Sequence, residues 1–330
     1  MEKRLEEKRM LCPDRILDFV RNYGAVVGIL LLLIIFQCID HRVLRLANIW
    51  GVLRNNTFLI MMAMGMTLVM SVRGIDLSVA QVADAAGVLT AFLILNGTSA
   101  VAAVGAGLGI GLIVGVVNAV LMAYLGVPAL IGTLGMMYVV RSFELVLTNG
   151  AQPQMLFTLN HSITGFFLNI GQGDVAGIPN VLIICVIAII IIYLIKERSL
   201  IGRHMDALCG NVRASFLSGI NVRKTFAITF VLSSFLAAMA GLMITARAGG
   251  ATPRAVESYL NDCFVAVYVG TLLSKDRKFN VIGTVVGCLF VGFMSNFFTL
   301  QGIGNGTKQL FNGFFIIAAV ALGTLRAKKK

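Results

Sequence analysis

The sequence predicts an all-α, polytopic transmembrane bundle of about ten helices with an inverted internal repeat. Three observations lead there. Of 330 residues, 58% are hydrophobic and only 13% charged, where a soluble chain carries about a quarter charged residues. Several apolar runs approach twenty residues, the length that crosses a bilayer core of roughly 30 Å. The basic residues gather beside the ends of those runs. A transmembrane β-barrel is excluded, because barrel strands alternate apolar and polar residues and these runs do not.

Taken in order, residues 1–23 form a basic cytoplasmic segment carrying Lys3, Arg4, Lys8, Arg9, Arg15 and Arg21. The apolar run 24–40 follows and reads as a signal-anchor helix rather than a cleavable leader. Residues 41–56 carry Arg42, Arg45 and Arg54 among Val43, Leu46, Ile49, Trp50 and Leu53. That spacing suggests a short amphipathic helix at the interface. Spans are then expected at 57–73, 78–96, 101–125, 129–147, 179–195, 225–247, 259–273, 280–299 and 306–325, inside a membrane domain of 24–325. Residues 326–330 make a basic cytoplasmic tail.

Six of the 27 Lys and Arg residues lie in the loop 196–224, and Lys275, Arg277 and Lys278 sit between two later spans. The stretch Thr148–Ile178 has neither Lys nor Arg. This is positive-inside patterning, which places both termini and the 196–224 and 274–279 loops in the cytoplasm. The formal charge of +12 is thereby a topology signal, and no nucleic-acid partner is expected. The six cysteines are scattered without a CxxC pair, so neither a disulfide framework nor a metal site is implied.

The repeat rests on small residues. Gly111-x-x-x-Gly115 with Met122 matches Gly283-x-x-x-Gly287 with Met294, while Gly65 and Gly74 match Gly241 and Gly250. An offset of five spans, an odd number, makes the halves run in opposite directions, a transporter design. The series Gly105, Gly107, Gly109, Gly111, Gly115 is expected to serve close helix packing.

Polar residues inside apolar runs are the candidates for a transport path. Arg73-Gly74-Ile75-Asp76-Leu77-Ser78 interrupts two runs. Gly74 permits a break, and Asp76 or Ser78 either caps the next helix or faces a solute path. Gln81 and Asp84 share one helix face, as do Arg141 and Glu144, which can pair. Such residues are costly in a membrane and turn inward, whether to pin helices together or to line a path. Gly302–Lys308 is not a phosphate loop, because Thr307 separates the last glycine from Lys308. No arrangement of catalytic residues is present, so the chain is expected to be non-catalytic.

The polar island Gly210–Ile220 (GNVRASFLSGI) lies between two long apolar runs. Asn211, Arg213, Ser215 and Ser218 suit a short capped helix ended by Gly219, leaving Ile220 apolar. A basic loop that only holds topology is the plainer reading, and the residues alone do not separate the two.

From about Asn48 to Ala321 the chain resembles the sugar-importing ABC permeases of the ribose type. The resemblance is carried by RGIDLSVA at 73–80, Pro128-Ala129 through Thr133-Leu134-Gly135, Gly202-Arg203-His204 and Gly210-Asn211. It continues in Leu217-Ser218-Gly219-Ile220-Asn221-Val222, Ala240-Gly241 through Ala246-Arg247, and Gly270-Thr271. It implies a multi-pass subunit of the bacterial inner membrane that binds no ATP or other cofactor itself. Cytoplasmic ATP-binding subunits would dock on Gly210, Asn211, Arg213, Ser215, Ser218, Gly219 and Ile220. A second copy or a homologous permease would complete the pore. A periplasmic or lipid-anchored solute-binding protein would dock near 148–178 and 247–258. Arg73 and Ala80 stand where the family has glycine, Cys209 interrupts its GGN, and Asp84 and Glu144 replace small or apolar residues. The alternative is an ion-gradient-driven secondary transporter using Asp84 and Glu144.

Overall fold

The structure is a computed structural model that describes residues 27–273 and 278–327. The expected basic segment 1–23, most of the 274–279 loop and Lys328–Lys330 lie outside the described residues. Among those described are thirteen α-helices: α1 Val27–Ile39, α2 Leu46–Met70, α3 Val79–Leu95, α4 Ala100–Ala119, α5 Ala129–Leu147, α6 His161–Gln172 and α7 Asn180–Tyr193. They continue as α8 Leu200–Gly210, α9 Val212–Leu217, α10 Val222–Ala248, α11 Tyr259–Leu272, α12 Val281–Leu300 and α13 Asn305–Ala327. Single π-turns extend α4 to Tyr124 and α7 to Arg198. Six helices are long and apolar enough to cross a membrane, and each expected span coincides with a helix.

Burial sorts them. α2, α3 and α10 form the centre, with nearly every residue from Asn56 to Met70 and from Val79 to Val88 buried. A helix apolar on all sides belongs in an interior or in lipid. The outer helices fit lipid, with Ile113 and Val116 on α4, Ile131 on α5 and Ile187 and Ile190 on α7 exposed.

The central helices meet with almost nothing between them. A Cβ on Gly65 would lie 3.0 Å from the Ser233 Cα, and one on Gly87 3.0 Å from the Gly241 carbonyl oxygen. On α4, a Cβ on Gly111 would lie 2.8 Å from the Ser234 oxygen and one on Gly115 2.8 Å from the Val231 Cα. Gly107 packs against α3 in the same way, whereas Gly105 and Gly109 face open space. The expected packing role thus holds for one face of the series.

Short ladders close the α6 end of the bundle. Gln154 and Met155 (β1) pair antiparallel with Ala251 and Gly250 (β4), which joins the two segments flanking α5 and α10. Asp174–Val175 (β2) pairs with Ile178–Pro179 (β3) across Ala176 and Gly177, both at positive φ, the backbone a tight hairpin demands.

The expected interfacial helix at 41–56 is a correction. α2 begins at Leu46 and runs unbroken, because from Val52 onward its residues enter the bundle. Of Val43, Leu46, Ile49, Trp50 and Leu53, only Leu46 and Trp50 stay exposed. The preceding turn is fixed by Asp40, which accepts the Arg42 amide at 2.9 Å and its guanidinium at 2.8–3.1 Å. Gln301 also donates to Asp40, and Arg42 reaches the Leu300 carbonyl at the end of α12.

The packing contrast on α4 is testable. Gly111→Leu is expected to lower the melting temperature in detergent sharply, since overpacking costs about 1–3 kcal/mol or more. Gly109→Leu is expected to leave it unchanged, as read by thermal size-exclusion chromatography.

Candidate functional site

The 196–224 loop folds as two short helices at the end opposite α6, with the polar island Gly210–Ile220 forming the second. Ser199 caps α8 by accepting the Gly202 amide at 3.3 Å. Asn211 caps α9 by accepting the Ala214 amide at 3.0 Å. α9 ends where Ile220 N–H donates to the Ser215 carbonyl and Gly219 takes φ +84°, the left-handed C′ geometry that favours glycine. Ser215 turns inward and is buried, while Arg213 and Ser218 are exposed. Ile220 is half-buried. The most exposed apolar side chains of α9 are Phe216 and Leu217, at 67% and 78%. Their neighbours in sequence hid them, because only the six-residue helix decides which side faces out. Below it, buried Lys196 pairs with Asp206 and braces α8 on the end of α7.

Arg73 connects this island to the interior. α2 ends with Gly74 N–H donating to the Val69 carbonyl at 3.0 Å, and Arg73 occupies the left-handed position at φ +60°. The strained residue is therefore Arg73, not the Gly74 that the sequence suggested. An L-residue there costs about 1–2 kcal/mol. Its guanidinium donates to the Cys209 and Gly210 carbonyls at 2.5 and 2.6 Å. Two charge-assisted bonds to the carbonyl end of a helix, discounted at an exposed residue, offset that strain.

Three residues on, Asp76 is fully buried. It accepts the Ser78 amide at 3.0 Å, the Ser78 hydroxyl at 2.6 Å and the Ser233 hydroxyl of α10 at 3.0 Å. Ser78 in turn accepts from Asn118 of α4 at 3.0 Å. Ser78 itself makes no side-chain cap; Asp76 turns the chain into α3. Three chain segments, the α2–α3 break, α10 and α4, thus meet on one carboxylate network. Ser233, beside Ser234, and Asn118 went unremarked in the sequence although a polar residue in an apolar run was the signal.

Asp84, Arg141 and Glu144 gather around the loop 252–258. Asp84 accepts the Val256 amide at 3.1 and 3.2 Å, and Glu144 accepts the Arg254 amide at 3.1 Å. The expected Arg141–Glu144 pair is a correction. Arg141 instead bridges to Glu257 at 3.2 Å, and Arg254 reaches the same carboxylate at 3.3 Å. Arg254 at φ +68° turns its amide toward Glu144, which leaves Arg141 the loop's own carboxylate. Gln81 is buried one turn before Asp84, with its Oε1 unpartnered among the described residues. Those residues hold no group of three His, Cys, Asp or Glu placed to bind a metal ion.

A family model described as branched-chain amino acid transport system / permease component matches residues 48–320. The chain is 32% identical over 296 residues to the ribose import permease protein RbsC of Escherichia coli (strain K12), covering 90% of this chain and 91% of that one. Identity to the RbsC of Haemophilus influenzae is 33%, over 94% of this chain and 96% of that one. The chain belongs to the ribose-type permease family. The D-allose transport system permease protein AlsC of Escherichia coli is also similar, at 29% identity over 94% of each chain. No solved structure matches this permease.

Two outcomes follow for the permease. Arg73→Ala, which keeps the strain and loses both bonds, is expected to speed amide exchange through the last turn of α8. Arg73→Gly, which relieves the strain, is expected to lower thermal stability less than Arg73→Ala does. Glu144→Ala leaves the Arg254 amide unanswered, at about 1–3 kcal/mol for a buried group. Hydrogen exchange at Arg254 is expected to rise at least fivefold, whereas Glu144→Gln, which retains an acceptor, is expected to restore protection.

Proposed function

We propose that this chain is the membrane-spanning subunit of an ABC importer for a sugar or sugar-like solute, driven by separate cytoplasmic ATPase subunits. The observation that carries the reading is the exposed apolar pair Phe216 and Leu217 on a capped helix within a basic loop. Two large apolar side chains exposed at a polar end suit a groove on a soluble partner. Relatives named as ribose and D-allose permeases support a sugar as solute. Two permeases, the second identical or homologous, would form the pore. A periplasmic or lipid-anchored binding protein would dock at the joined 148–178 and 247–258 segments.

In this reading the chain crosses the inner membrane ten times, with both termini and α9 in the cytoplasm. The two repeats are α2–α5 and α10–α13. Support comes from reciprocal packing: α10 lies on α4 as α2 lies on α12, and α3 meets α4 and α5 as α11 meets α12 and α13. The arrangement suits alternating access, in which one repeat rocks against the other. ATP binding closes the ATPases, α9 moves with them, and Arg73 passes the movement from α8 to the break that holds Asp76. A ligand shifts such an equilibrium only by its differential affinity for the two states, which the ATPases supply. Asp76, Ser78, Gln81 and Asp84 would feel the rearrangement first, being on the broken segment and the helix after it. Arg141 and Glu144 would follow through the 252–258 loop.

Co-purification with the ATPase tests the reading. Wild type is expected to retain the ATPase in detergent. Phe216→Asp with Leu217→Asp is expected to lose it while the permease stays folded, since both side chains are exposed. Absence of ATPase from wild type would end the importer reading and bring forward ion-driven transport through Asp84 and Glu144.

A further inference from the structure

Two arginines meet at the α6 end of the bundle without a counter-charge. Arg54 lies near the start of α2 and Arg247 in the last turn of α10. The Arg247 guanidinium sits over the Phe58 ring, 6.0 Å from its centroid, and Phe58 is one helical turn below Arg54 on the same face of α2. The ionisable groups that act on the Arg247 charge are Arg54 and Tyr259, neither of them a carboxylate. Gln172, at the end of α6, ties the pair in place. Its backbone carbonyl accepts from Arg54 Nη2 at 3.4 Å, and its side-chain amide donates to the Ala246 and Arg247 carbonyls at 3.2 Å. Carbonyls at a helix C-terminus would otherwise help to balance a nearby cation.

A guanidinium carries about five N–H donors, yet among the described residues these two make no hydrogen bond beyond the one to Gln172. Arg54 Nε and Arg247 Nη1 are closed off from solvent, so no ligand reaches those atoms. The remaining nitrogens, Arg54 Nη1 and Arg247 Nε and Nη2, donate to no described residue, and both side chains are only half-buried. Other arginines toward this end are paired: Arg42 with Asp40, Arg141 and Arg254 with Glu257. In the proposed topology this is also the outer end, where positive-inside patterning makes arginine scarce. Tyr259 and Asn55, beside Arg54, line a cavity of about 380 Å³ between α2, α11, α12 and α13. Asn56, Asp262, Asn296 and Asn312 make its wall polar, which gives water room beside the arginines. Asp262 there is engaged by Asn312 and pairs with neither arginine.

We propose that Arg54 and Arg247 together bind a phosphate group at the α6 end of the bundle. A phosphate monoester carries about −1.5 to −2 charge at pH 7, which balances two guanidiniums where a single carboxylate would leave one unanswered. The planar fork of arginine meets phosphate oxygens with parallel N–H bonds. A group held this way spans α2 and α10 and draws them together. The same chemistry is offered by soluble phosphate and by a lipid headgroup. Asn56 and Thr57 pack against Gly292 of α12 and Cys185 of α7, so this turn of α2 is walled from lipid and the soluble source is favoured.

The test is binding of radiolabelled inorganic phosphate to the full-length permease in phosphatidylcholine nanodiscs, with chloride at matched ionic strength as control. Wild type is expected to bind phosphate and to melt at a higher temperature in phosphate than in chloride. Arg54→Gln and Arg247→Gln are each expected to weaken binding about tenfold or more, the worth of one charge-assisted bond. In chloride, Arg54→Gln is expected to melt no lower than wild type, because it removes a like-charge contact; a fall there would mark a purely structural arginine and overturn the proposal. A second arm adds phosphatidylglycerol to the nanodisc. An Arg54-dependent rise in melting temperature with that lipid, absent with free phosphate, would assign the phosphate to a headgroup. No Arg54-dependent response to either source, or an equal response to chloride, would sink the proposal. Loss of solute-binding-protein capture in Arg54→Gln, with no phosphate response in wild type, would replace it with a protein carboxylate.

Discussion

Close backbone approach around α10 is the constraint on which the rest of this structure depends. In lipid there is no hydrophobic gain from bringing helices together, so packing and interhelical hydrogen bonds must hold them. Gly65, Gly87, Gly111, Gly115 and Gly241 bring α2, α3 and α4 within backbone contact of α10 or of one another. At that separation short side chains span the gap. Ser233 reaches Asp76 and Asn118 reaches Ser78, bonds that larger residues at the glycine positions would place out of range. The buried carboxylate is affordable because the glycines bring its donors close.

Around that centre the chain divides its labour by length scale. The break between α2 and α3 is local, a single left-handed residue and one carboxylate turn. Its connection to the surface is longer, through Arg73 to the carbonyl end of α8 and from there over Asn211 into α9. An arginine at a position that glycine fills without strain exchanges backbone ease for a rigid link. The family resemblance marked Arg73 only as a departure; the geometry gives the departure a purpose.

Much of the fold was legible because apolar length is a strong signal. Every expected span falls on a helix, and the cap at Asn211 and the stop at Gly219 follow from residue chemistry alone. Failures came where neighbours across space decide. Arg141 and Glu144 sit one helical turn apart, yet each takes a partner from the 252–258 loop, more than a hundred residues away in sequence. The 41–56 segment has the spacing of a surface helix, but its second half is claimed by the bundle. The exposure of Phe216 and Leu217 depends on a single turn of α9, too short for periodicity to reveal. Asn56, Asp262, Asn296 and Asn312 lie on four separate helices, and only the packing of α2, α11, α12 and α13 makes them one wall.

The loop 252–258 is mounted by its main chain. Asp84 and Glu144 grip the amides of Val256 and Arg254, which every residue but proline supplies. Outward side chains of the loop can therefore be exchanged without loosening its seat. A lineage could rewrite the face this loop presents, and with it the molecule it greets, while the two carboxylates beneath stay as they are.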